Sequence, residues 1–152
     1  MSHEGSVVIN VARISEVLGG SRTLKHRVRT LNDLHDVVAE GLPKGSVHAV
    51  LTHLAEHYPV EVQALRDFVA PRATLKRRRT RLSPTESQRL ERLARIVAMT
   101  EEVWQDRTAA AEFLTRRHRA FGGRTPLQMA TTDLGARRVE EVLAAIEFGL
   151  PA

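Results

Sequence analysis

Six of the chain's 23 Lys and Arg residues fall within ten positions: Arg72, Lys76, Arg77, Arg78, Arg79 and Arg81. Cations at that density suit neutralisation of the phosphates of a polyanion. A second chemical pattern is His53-Leu54-Ala55-Glu56-His57, an H-x-x-E-H sequence that puts two imidazoles on one helical face, as in a zinc protease. A third ligand has no obvious source, His48 lies only a little further back, and an exposed His-rich face is the simpler account. Gly122-Gly123-Arg124-Thr125-Pro126 has the glycines of a phosphate loop but neither the preceding strand nor the G-K-[S/T] ending, so a chain reversal before a capped helix fits better. Thr85, Ser87 and His57 form no nucleophile arrangement legible in sequence. These patterns favour binding over catalysis.

The elements that must carry these residues read as helices. Thr30 with Asp33 resembles a capping pair, and Leu31, Leu34, Val37 and Val38 follow at helical spacing up to Gly41. Leu42 to Gly45 reads as a turn, with Ser46 capping a helix that carries Val47, Val50, Leu51 and Leu54 and stops at Tyr58-Pro59. A third helix bears Val62, Leu65, Phe68 and Val69, broken by Ala70-Pro71. A basic helix follows, with Arg72, Lys76 and Arg79 on one face and Leu75 anchoring it to a core. Helix, short turn and helix with bases on the second is helix-turn-helix wiring, the second helix lying in the major groove.

Ser83-Pro84-Thr85-Glu86 combines an N-cap, a proline at the first helical position and a capping-box Glu, so a long helix starts there. Leu90, Leu93, Val97 and Trp104 form a seam on it, read either as core or as a homodimer surface. Asp106 caps a helix with Ala110, Phe113 and Leu114; Thr125 to Gln128 is another capping box; Thr132 to Gly135 separates it from a last helix carrying Val139, Val142, Leu143 and Ile146, which Gly149 and Pro151 end. Arg137-Arg138 and Glu140-Glu141 read equally as a solvated face with local ion pairs or as the rim of an interface. Residues 1–29 carry weak signals: a short strand at Val7-Val8-Ile9, a helical turn from Arg13 to Leu18, or an arm or tail.

Bulk composition agrees with a DNA contact in the middle of an all-α chain. Residues 1–59, 60–99 and 100–152 carry net charges of 0, +6 and −1, so the whole excess of +5 is central. Aromatics are only 4% of residues, which disfavours base stacking on a single strand and leaves duplex DNA as the better fit. The absence of cysteine excludes disulfides and thiolate chemistry. No apolar run approaches the about 18 residues of a membrane helix, and the Met1-Ser2-His3-Glu4 start does not resemble a signal peptide, so a cytoplasmic location is expected.

The C-terminal sequences WQDRTAAAEFL, FGGRTPLQMATTDLGARRVEEVL and IEFGLPA resemble the toxin-binding domain of the Xre/MbcA/ParS antitoxins, and most of all the Xre antitoxins paired with RES-domain toxins. TLKRRRTRLSPTESQRLERLARI is similar to that family's junction between recognition helix and C-terminal domain, and the likeness spans about residues 60–152. Two positions depart: Val69 stands where the turn usually has Gly, and Phe113 where the family prefers Trp. The resemblance implies an Xre-like helix-turn-helix domain over residues 1–82 and a small helical toxin-binding domain over 83–152. It implies a non-enzymatic antitoxin without cofactor or metal, which blocks the active site of a NAD-depleting RES toxin and binds its own operator as a homodimer and as a hetero-oligomer with toxin. Arg72, Thr74, Lys76, Arg77, Arg78, Arg79 and Arg81 are the expected DNA contacts. Gly122, Gly123, Thr125, Pro126, Leu127, Glu147, Phe148, Gly149, Leu150, Pro151 and Ala152 are the expected toxin contacts. The alternatives are a dimeric helix-turn-helix regulator without a toxin and a small enzyme built on His48, His53 and His57.

Overall fold

Side-chain N-caps at Thr30, Ser83, Asp106, Thr125 and Thr132 set the starts of five helices. The computed structural model describes residues 9–149, and among them it contains helices and two isolated antiparallel bridges but no strand. Helices α1 (Val11–Val17), α2 (Gly20–Leu24), α3 (Leu31–Glu40), α4 (Gly45–His57), α5 (Val62–Val69) and α6 (Arg72–Arg77) precede the long α7 (Pro84–Trp104). After it come α8 (Arg107–Thr115), a 3₁₀ turn at Arg119–Phe121, α9 (Pro126–Met129) and α10 (Asp133–Glu147). The chain forms two compact units, one spanning Val11–Ala94 and the other comprising, of the described residues, 9–10 and 95–149.

In the first unit, α1 packs on α3 and α4, α2 on α4, and α4 on α5. Ile14, Val17, Leu18, Leu24 and Val28 are all buried, so residues 11–28 are core and not an arm. The sequence signal is weak there because α1 and α2 have seven and five residues, well short of the window of about 11–18 residues over which a helical period can be read. Val7 and Val8 lie outside the described residues, and Ile9 is not in a strand. The capping box at Thr30 forms, with Asp33 N–H donating to Thr30 Oγ1 at 3.1 Å and Asp33 Oδ2 accepting from Thr30 N–H at 3.0 Å.

The segment after α3 does more than turn. Pro43 bridges Arg81, Lys44 N–H donates to Thr80 O, and Leu82 N–H donates to Leu42 O, both at 2.9 Å. Gly41, at φ 104°, allows this approach, because a Cβ there would collide with the carbonyl of Leu82. Ser46 does not cap α4: the helix already begins at Gly45, and the Ser46 hydroxyl is fully buried with no hydrogen-bond partner among the described residues.

The second unit is built on the latter half of α7. Ile96, Val97, Phe113, Leu114, Phe121, Leu127, Val139 and Leu143 form its core. Leu90, Leu93 and Val97 are fully buried within the chain, which leaves that part of the α7 seam no surface for a second copy. Asp106 caps α8 through Thr108 N–H at 3.2 Å. Thr132 caps α10 through Gly135 N–H at 2.9 Å, so Asp133 to Gly135 are the first turn of the helix and not a spacer. Arg137 and Arg138 pair along α10 with Asp133 and Glu141, whereas Glu140 pairs with Arg95 of α7 at 3.2 Å.

Candidate functional site

The basic segment divides into a short helix and a pinned extended exit. Val69, fully buried, is the last residue of α5; extended Ala70 (φ −166°, ψ 149°) and Pro71 (φ −57°, ψ 147°) then make the turn. No residue of this turn needs a positive φ, which explains why a branched residue is accommodated where glycine was expected. Arg89 of α7 caps the preceding helix, its Nη1 donating to Val69 O at 3.3 Å. Leu75 is buried and fixes α6, leaving Arg72, Lys76 and Arg77 exposed and Thr74 half-buried, with Arg77 Nη2 donating to Thr74 Oγ1 at 3.2 Å.

Helix α6 ends at Arg77, so Arg79 does not share a helical face with Arg72 and Lys76 as the spacing predicted. Arg78 caps the helix in extended conformation and turns inward. Its Nε and Nη2 donate to Glu86 Oε1 and Oε2, each at 3.0 Å, and its carbonyl accepts from Lys44 Nζ at 3.3 Å. Glu86 also accepts from Ser83 N–H at 2.8 Å, closing the capping box of α7. The Arg78 hydrogen bonds, helped by those from Ser83 and opposed by burial, hold the Glu86 carboxyl below the usual carboxylate range; the same pair raises Arg78. Arg79 and Arg81 are exposed, Arg81 lying 3.7 Å from Glu40. The surface therefore presents Arg72, Lys76, Arg77, Arg79 and Arg81, with the half-exposed Arg78 paired to Glu86.

Sequence reasoning missed the second function of Glu86 and the part played by Ser87. Ser87 Oγ, fully buried, accepts from Leu42 N–H at 2.7 Å, tying the start of α7 to the Leu42–Lys44 segment. A serine on the apolar face of a long helix, one turn before Leu90, is the signal that would have found it.

In the second unit the expected contacts separate by exposure. Gly122 and Gly123 (φ 61° and 81°) are exposed at the tip of a turn in which His118 bridges Arg124. Thr125 caps α9, with Gln128 completing the box at 2.8 and 3.1 Å. Pro126 and Leu127 are buried and serve the core, so their side chains are not offered to a partner. Glu147, Phe148 and Gly149 are exposed at the end of α10, Phe148 retaining 47% of its surface. Leu150, Pro151 and Ala152 lie outside the described residues. Phe113 sits in an aromatic cluster, its ring centroid 6.1 Å from Trp104, 5.0 Å from His118 and 6.3 Å from Phe121.

The His-rich pattern yields a ring contact. His53 and His57 meet edge-on with centroids 4.6 Å apart, and among the described residues no three His, Cys, Asp or Glu side chains are placed to hold a metal. Among the described residues no helix is long and apolar enough to cross a membrane.

In the first unit α5, the Ala70–Pro71 turn and the cation-bearing α6 have the wiring of a helix-turn-helix, and a second small helical unit follows in the chain. Residues 33–95 match the antitoxin Xre-like helix-turn-helix domain, and residues 99–149 match the antitoxin Xre/MbcA/ParS C-terminal toxin-binding domain. The chain is also similar to the protein named Antitoxin Xre from Pseudomonas putida (strain KT2440), at 34% identity over 151 residues, covering 91% of this chain and 92% of that one. It belongs to the Xre antitoxin family: a helix-turn-helix antitoxin with a toxin-binding domain, and not an enzyme.

Proposed function

We propose that the protein neutralises a RES-type, NAD-depleting toxin by occluding its active site, and that it represses its own operon by binding operator DNA as a dimer, both in the cytoplasm. The DNA reading is carried by one observation, the five exposed cations between Arg72 and Arg81 on and just beyond α6. The toxin reading is supported by the family's toxin-binding domain and by the exposed Phe148 at the end of α10, after which the sequence reads Gly149-Leu150-Pro151-Ala152. Leu150 is the natural anchor in a partner's cleft, since burying a leucine stabilises by about 1.5–3 kcal/mol, and Pro151 limits the entropy lost on docking.

Co-expression with the adjacent reading frame tests the toxin reading. Deletion of Phe148 to Ala152 is expected to abolish growth rescue and co-purification while leaving DNA binding unchanged. Full rescue by the truncated chain would transfer inhibition to the Gly122–Gly123 turn or the helix faces. For DNA, the triple variant Arg72→Ala, Lys76→Ala, Arg79→Ala is expected to lower the slope of log affinity against log salt by about one per lost phosphate contact. An unchanged slope would remove this segment as the reader.

A further inference from the structure

The near-neutral charge of the C-terminal region conceals a strong asymmetry. Residues 100–152 carry eight acids and seven bases, but four of the bases, Arg116, Arg117, Arg119 and Arg124, belong to a single turn of nine residues. No Asp or Glu occurs between Phe113 and Leu127. The remainder of the region has eight acids against three bases, a net of −5 beside a turn of +4. All four arginines are exposed. Arg116 has only a loose approach of 3.9 Å to Glu112, and among the described residues Arg117, Arg119 and Arg124 make no ion pair within the chain.

The backbone that carries these arginines is fixed between His118 and Arg124. His118 N–H donates to Arg124 O at 3.1 Å, Gly123 N–H returns to His118 O at 2.9 Å, and Gly122 N–H donates to Arg119 O at 3.0 Å. His118 Nε2 donates to Phe113 O at 2.9 Å, and the buried Phe121 ring roots the turn in the core. A turn fixed in this way loses little ordering entropy when it binds. Between Arg119 and Arg124 the exposed residues are Ala120, Gly122 and Gly123; the Arg124 guanidinium lies over Gly122, whereas nothing lies within 4 Å of where a Gly123 Cβ would stand, so a partner's backbone can approach closely there.

We propose that the Arg116–Arg124 turn is the electrostatic docking surface for the toxin, and that the toxin surface it meets is acidic. This rests on the neutralisation reading above and names the partner's chemistry. All four cations are arginine, whose planar fork pairs bidentately with carboxylates and which is enriched at protein interfaces where lysine is depleted. Duplex DNA fits less well, because the rest of the same region is net acidic and would repel phosphates extending past the turn.

The test uses the full-length protein and the purified product of the adjacent reading frame, with association followed by stopped flow or surface plasmon resonance from low to high salt. The charge reversal Arg117→Glu, Arg119→Glu, Arg124→Glu is expected to slow association by about 100-fold at low salt and to flatten its salt dependence. The milder Arg→Gln triple is expected to slow it about tenfold, and guards against misfolding of the reversal. Operator binding should be unchanged in both. Wild-type association rates and salt dependence in the folded Gln triple would overturn the proposal while leaving neutralisation intact. Loss of DNA affinity with normal toxin association would assign the turn to nucleic acid, and also overturns it. Failure of the wild-type protein to bind the toxin would overturn the neutralisation reading itself, and this proposal with it.

Discussion

Replacing Gly135 by alanine pits helix propensity against packing, and the structure decides which wins. Gly135 is the third residue of α10 and is buried against the end of α9. Alanine in place of glycine inside a helix is worth about 1 kcal/mol in its favour. Here, however, a Cβ would run into the carbonyl oxygen of Met129, with the Met129 carbonyl carbon at 2.9 Å and Thr132 Oγ1 at 3.0 Å. The obstacle is backbone, so no side-chain rotation relieves it, and the overpacking cost belongs at or above the upper end of about 1–3 kcal/mol. Displacing α10 from α9 also loosens the Thr132 cap, worth about 1 kcal/mol. The net is a loss of about 3 kcal/mol, or roughly 15 °C in the melting temperature of a unit this small. Thermal unfolding followed by circular dichroism reads it directly, and toxin binding should weaken while operator binding persists. Gly123→Ala is the control: its Cβ would stand in open space at φ 81°, so it bears only left-handed strain of about 1–2 kcal/mol. A Gly135→Ala protein that melts at or above the wild-type temperature would show that the Met129 carbonyl yields and that helix propensity prevails.

Two further outcomes follow from the first unit. Because the folded Glu86 carboxyl lies below its ordinary value of 4.5, its ionised form adds stability that is fully present above that pH and is lost as the pH falls through the lowered value. Urea midpoints measured from pH 6 to pH 3 should therefore fall more steeply for wild type than for Glu86→Gln; parallel curves would dismiss the coupling. Asp33, lowered by the backbone N–H groups of Arg29 and Thr30, acts in the same direction and leaves a residual slope in the variant. Ser46→Ala removes a buried hydroxyl that has no partner among the described residues, so it should be neutral or stabilising by up to about 1 kcal/mol; a lower urea midpoint would show that the hydroxyl is satisfied.

Most of the caps read from neighbouring residues form, Ser46 being the exception, whereas contacts between residues distant in sequence leave little trace in it. The caps at Thr30, Ser83, Asp106 and Thr125 form as read, because a cap is a contact across two or three residues. The proline break before the basic helix is likewise local. Arg78 was counted among the DNA contacts because its neighbours are cations, and nothing within a helical turn shows that Glu86 faces it. The pairing of Leu42–Lys44 with Thr80–Leu82 joins segments far apart in sequence, and its one local trace is Gly41. At the toxin end, the capping role of Thr125 was clear, but the same box turned Pro126 and Leu127 into the core, a consequence of helix direction that spacing alone does not convey.

The bridge between Pro43 and Arg81, fastened by Ser87 beneath Leu42, makes everything from α4 to the basic segment a closed excursion whose two ends are held at one point. Closing a loop of about forty residues costs only about 0.6 kcal/mol more than closing one half as long, so its length is weakly constrained. What is constrained is the clasp. The length of the excursion can therefore vary at its exposed turns, while α7 begins at the same place, because Gly41, Leu42, Leu82, Glu86 and Ser87 hold the two ends together.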